Sequence, residues 1–112
     1  MIHARIKINK DSLNLSIKGH AGAAEEGKDI VCASASILAY VVAQTITDLR
    51  KKRMLKNPPI IILRKGCSII SCKPMECCYD VAKYAFIYAK TGLELLQHNY
   101  PDYVSLTTVG KA

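Results

Sequence analysis

No two of the five cysteines, at positions 32, 67, 72, 77 and 78, have the Cys-x-x-Cys spacing of a structural zinc site. The adjacent Cys77 and Cys78 make a poor tetrahedral geometry, so no metal is expected. All four later cysteines read as small buried hydrophobes. The start of the chain, Met1-Ile2-His3-Ala4-Arg5, lacks the apolar run of a secretory leader. With an odd cysteine count, this sets the expectation of a reduced, cytoplasmic protein. Acids are scarce: nine Asp and Glu stand against sixteen Lys and Arg, a formal charge of +7. Such a surface suits anionic or ribosomal surroundings, or simply keeps the chain soluble, and charge alone does not choose. The basic run Arg50, Lys51, Lys52, Arg53 and Lys56 has no aromatics between its charges. It lacks the stacking platform of an RNA-binding stretch and reads as a solvated helix end, where cations suit the dipole. There is no internal repeat and no low-complexity segment. A length of 112 residues makes one domain, 1–112, with one modest core.

Charge is missing altogether from Ile30 to Thr47. A run of that length raises the question of a membrane span. Ser34, Ser36, Gln44, Thr45 and Thr47 weigh against it, so no membrane association is expected. The run reads instead as a helix covered on most of its circumference. One side would lie on a sheet and the other against a second copy of the chain.

The patterns that are present alternate before and after this helix. Ile2, Ala4, Ile6 and Ile8 share one face of a strand; Leu13, Leu15 and Ile17 share one face of the next. Asp29 reads as the helix N-cap. Residues 60–63 and 67–72 form a second hairpin about Lys65-Gly66. A second helix opens at Pro74 and Glu76 and runs to about Tyr100, with Val81, Ala85, Tyr88 and Leu95 as its buried stripe. Residues 104–109 are an extended tail. The order is ββαββα, which implies an α+β fold with an antiparallel sheet and two helices packed on it.

Cys32 falls in the first turn of the first helix. Unpaired N–H groups and the positive end of the dipole favour a thiolate there, and the same groups could receive an oxyanion. A free cysteine on an apolar helix is nevertheless more often inert packing. His20 follows the second strand on its polar side, just before the loop 19–28 with glycines at 19, 22 and 27. A loop that returns to the helix start would bring His20 to Cys32, the minimum for thiol activation. Asp29 has two readings, a plain cap or a third member orienting the histidine. Ser36 lies one turn after Cys32 and either bonds within the site or lets the helix pack closely. His3 and His98 have no comparable setting and read as exposed.

At these residues the chain resembles a known family. Gly19-His20-Ala21-Gly22, then Gly27-Lys28-Asp29-Ile30-Val31-Cys32-Ala33, then Ser36, is similar to the signature of the ribosomal-processing cysteine proteases, the Prp family. The resemblance runs on through the ββαββα order to Tyr100-Pro101-Asp102-Tyr103-Val104. It implies a homodimeric, cytoplasmic bacterial endopeptidase that needs no cofactor. Its substrate would be the precursor of large-subunit ribosomal protein twenty-seven, whose short N-terminal extension is removed before ribosome assembly. The family's histidine and cysteine match His20 and Cys32, with Asp29 and Ser36 as supporting positions. Gly19, Gly22 and Gly27 lie in the substrate loop, which is expected to order over the peptide. The loop departs from the family pattern at Ala23 and Glu26, where aromatics are common. No direct nucleic-acid contact is required for peptide cleavage. The alternative is a non-catalytic, basic module associated with ribosomes or RNA.

Overall fold

The computed structural model describes residues 1–25 and 29–110. Five strands and two long helices follow in the order β1 (Ile2–Ile8), β2 (Leu13–Lys18), α1 (Ile30–Lys51), β3 (Ile60–Arg64), β4 (Cys67–Cys72), α2 (Tyr79–Asn99) and β5 (Val104–Gly110). A single 3-10 turn, Glu76–Cys78, leads into α2. The strands form one sheet in the order β3-β4-β2-β1-β5. The expected antiparallel pairing holds for β1 with β2, β2 with β4 and β3 with β4. The segment read as a tail is a fifth strand, parallel to β1 from Ile2↔Val104 to Ile8↔Gly110, so the sheet is mixed.

The alternation in β1 and β2 decides which face meets the helices. Ile2, Ala4, Ile6, Ile8, Leu13, Leu15 and Ile17 are all buried, and the residues between them are not. Ile70 and Cys72 of β4 and Val104 of β5 join the same layer. From α1 the core receives Val31, Ala35, Ala39, Val42, Ala43, Ile46 and Leu49. By length and composition α1 could cross a membrane. Its inner stripe is instead part of this core.

The stripe expected on α2 is turned the wrong way. The buried residues are Ala82, Phe86, Ala89, Leu93 and Leu96, whereas Val81, Tyr88 and Leu95 are exposed and Ala85 is half-buried. The two sets are offset by one residue, about 100° around a helix of 3.6 residues per turn. Both are apolar at helical spacing, and Phe86, fully enclosed, anchors the inner one. Val81 and Tyr88 of the outer one share a groove with Val41 of α1, which is also exposed. The helices approach closely at Gly92, where an added Cβ would lie 2.6 Å from a Leu38 methyl.

Candidate active site

Two turns set the floor and one wall of the site. Gly19 ends β2 with φ +96°, and its N–H donates to the Gly66 carbonyl at 2.9 Å. Gly66, with φ +72°, forms the β3–β4 turn. This bond ties the tips of the two hairpins together. His20, the next residue, lays its imidazole over Gly66: a Cβ there would stand 2.7 Å from Nε2 and 3.1 Å from Cε1. The missing side chain of Gly66 is therefore the seat of the His20 ring.

The chain then returns to the start of α1. Ala21 is buried, and its N–H donates to Cys32 Sγ at 3.2 Å. Asp29 caps the helix as expected, with Oδ1 accepting from the N–H groups of Val31 at 3.0 Å and Cys32 at 3.1 Å. Its Oδ2 accepts from the Ala23 N–H at 3.0 Å. The carboxylate thus clasps the loop to the helix as well as capping it. These bonds, the one from the Cys32 N–H foremost, hold its carboxyl below the usual carboxylate range against the opposing effect of burial. With both oxygens committed to backbone N–H groups, Asp29 is a cap and a clasp, and no bond from it to His20 is present among the described residues.

His20 and Cys32 face one open cleft of about 670 Å³. Gly19, Gly22, Asp29 and Ser36 also line it; Gly27 lies outside the described residues. Ser36 stands one helical turn beyond Cys32, as its spacing implied. The opposite wall runs from Leu63 to Ser68 on the β3–β4 hairpin, and Tyr40 of α1 adds to the rim. Sequence reasoning missed these. The Lys65-Gly66 turn was legible, but nothing local places it beside a histidine more than forty residues earlier.

One expected feature is corrected. The N–H groups of Val31 and Cys32, read as free to receive an oxyanion, are both taken by Asp29. The described donor aimed at the sulfur is the Ala21 N–H.

The later cysteines differ from one another. Cys72 is buried, and desolvation pushes its thiol up to about 12. Cys67 is half-buried at the cleft wall, and Cys77 is exposed rather than buried. Cys77 and Cys78 stand with their sulfurs 3.4 Å apart, and the hydrogen bond between them raises the Cys78 thiol. No group of three or more metal-ligating side chains occurs among the described residues.

A thiol at a helix start and a histidine facing the same open cleft make an arrangement for acyl transfer. A family model for the cysteine protease Prp matches residues 1–105. The chain belongs to the Prp cysteine protease family. Solved structures agree on the Prp fold. The S. aureus ribosomal processing protease Prp with a covalently linked product peptide superposes with a TM-score of 0.73 at 23% identity, over 96% of this chain and 99% of that one. The same enzyme with a substrate peptide gives 0.68 at 22% identity, over 96% and 99%. SMU.848 from Streptococcus mutans gives 0.65 at 22% identity, over 99% of this chain and 96% of that one. No curated protein matches this Prp-family chain by sequence.

Proposed function

We propose that this Prp-family protease removes the short N-terminal extension of the precursor of large-subunit ribosomal protein twenty-seven, with Cys32 as nucleophile and His20 as its base. The observation that carries the reading is the Ala21 N–H on Cys32 Sγ, with the neighbouring His20 in the same cleft. The peptide enters between the 19–25 loop and the β3–β4 hairpin. His20 accepts the Cys32 proton, and the sulfur attacks the scissile carbonyl carbon. The Ala21 N–H already points at the place where the new bond forms, and it turns to the developing oxyanion. His20 then protonates the leaving amine, and water, deprotonated by His20, hydrolyses the thioester. Asp29 keeps the loop and helix start in register through this cycle. The chemistry needs no metal or cofactor and no nucleic acid, and a reduced cytoplasm suits its free thiol. Membership of a protease family sets aside the non-catalytic alternative.

The test is incubation of the purified protein with the ribosomal protein precursor, followed by intact-mass analysis. Loss of one N-terminal segment of fixed mass is expected. An uncut precursor, with a generic thiol-protease substrate still cleaved, would remove this substrate and leave the peptidase.

The same proposal includes a homodimer. The outer stripe of α2 and the exposed residues of α1 flank an apolar groove of about 290 Å³ lined by Leu38, Val41, Thr45, Val81, Tyr84 and Tyr88. Tyr88 is 70% exposed, which is unusual for a large aromatic on a helix otherwise packed into the core. Light scattering at micromolar concentration should give twice the chain mass, and Tyr88→Lys should halve it. A monomeric parent protein would sink this part of the reading.

A further inference from the structure

The helices cover one face of the sheet and leave the other open, and charge is sorted onto that open face. None of the nine Asp and Glu lies in a strand. The ionisable or charged strand residues other than cysteine are His3, Arg5, Lys7, Lys18 and Arg64, and the pairing registers put all five on the open side. Arg64 pairs with Cys67, Cys67 with Lys18, Lys18 with His3, and His3 with Ser105, which makes one row straight across the sheet. Arg5 and Lys7 continue from His3 along β1 at every second residue, roughly 6.8 Å apart. All five side chains are exposed, and no salt bridge among the described residues involves any of them. The positions between them along β2 and β5 are Asn14, Ser16, Ser105 and Thr107.

We propose that this open sheet face docks on the phosphate backbone of RNA. The argument is charge complementarity on a built surface. A track of cations with no carboxylate repels a second copy of itself and attracts a polyanion. Its spacing along β1 is on the scale of successive phosphates in one nucleic-acid strand. The hydroxyl and amide groups beside it can bond phosphate oxygens and ribose 2′-hydroxyls. The face carries no Phe, Tyr or Trp, and His3 is its one ring, so base stacking would be slight and binding would be largely indifferent to sequence. Ile60, Ile62 and Ile69 form a small apolar corner on the same side, away from the β1 cations. The cationic row ends at Arg64, which also lines the cleft. RNA bound along β1 and β2 would leave the cleft itself open to peptide.

The experiment is fluorescence anisotropy of a labelled oligouridylate of about 20 nucleotides with the full-length protein, titrated across salt. Four obligate cations predict a log–log salt slope of about −3 for a single strand. In Arg5→Gln/Lys7→Gln/Lys18→Gln the slope should fall to about −1 and affinity at about 100 mM salt should drop about a hundredfold, since each phosphate contact removed lowers both. Peptide cleavage by that variant should be unchanged, because none of the three residues lines the cleft. Arg50→Gln/Lys51→Gln/Lys52→Gln removes the same charge from the end of α1 and should change RNA affinity less than twofold. The proposal is overturned by no binding at about 50 mM salt, by equal loss in both variants, or by equal affinity for polyglutamate or phosphatidylserine vesicles.

Discussion

Cys32→Ala should lower peptide cleavage about 10⁴-fold or more while leaving the fold intact. Removing the nucleophile of a covalent mechanism removes the acyl-enzyme route and leaves only binding and oxyanion stabilisation. The structural cost is small. Cys32 is half-buried and packs against the edge of the core, and alanine has high helix propensity. The Asp29 cap uses the Cys32 backbone, which the substitution keeps. Circular dichroism and light scattering should therefore match the parent protein. His20→Ala should lose nearly as much, and added imidazole should restore part of it, because the seat over Gly66 is then vacant. Normal turnover by purified Cys32→Ala would refute the assignment of the nucleophile.

Gly66→Ala should lower kcat about 100-fold with KM nearly unchanged. Alanine at φ +72° pays a left-handed backbone cost of roughly 1 kcal/mol, equivalent to a Tm loss of about 5 °C. The greater effect is on His20. The added Cβ would sit 2.7 Å from Nε2, and the side chain can relieve this by swinging away. That movement is cheap for the fold, but a displacement near 1 Å of a catalytic group can cost two orders of magnitude in rate. A double-mutant cycle separates the two effects. In a His20→Ala background, Gly66→Ala should lower the remaining activity little, because the ring it displaces is gone. Equal losses in both backgrounds would show that Gly66 acts through the fold rather than through His20.

Much of the site was legible because its determinants are local. The alternation of Ile2, Ala4, Ile6 and Ile8 against His3, Arg5 and Lys7 gave both the strand and its buried face. Asp29 before an uncharged run gave the cap, and through it the place of Cys32 in the first turn. The parity of β2 does not reach His20, because the strand ends at Lys18 and Gly19 turns the chain at φ +96°; the place of the ring comes from its seat over Gly66. What escaped is non-local. That Gly66 supports His20 depends on the pairing of β2 with β4, whose strands are separated by the whole of α1. The parallel partnership of β5 with β1 spans nearly the full chain, and Val104 to Val109 carries only a weak alternation. The α2 stripe failed for a different reason. Both of its apolar rows satisfy helical periodicity, and Val81, Tyr88 and Leu95 of the outer row are larger than the alanines that flank Phe86 in the inner one. The oxyanion donors were misassigned because a capping side chain consumes the same N–H groups that make a helix start attractive to anions.

The parallel pairing of β1 with β5 also sets an order of events during synthesis. β1 emerges before the other strands of this sheet, yet it is an interior strand, and one of its sides stays without a partner until residues 104–110 exist. The Ile2 N–H, bonded to the Tyr103 carbonyl at 2.8 Å, and the Ile2 side chain at the cleft both belong to that late junction. His20, Cys32 and Gly66 will have left the ribosome well before it forms. The growing chain therefore carries its thiol and imidazole for some time without the strand that completes the sheet beneath them. Completion of the cleft floor waits for residues 104–110 to emerge.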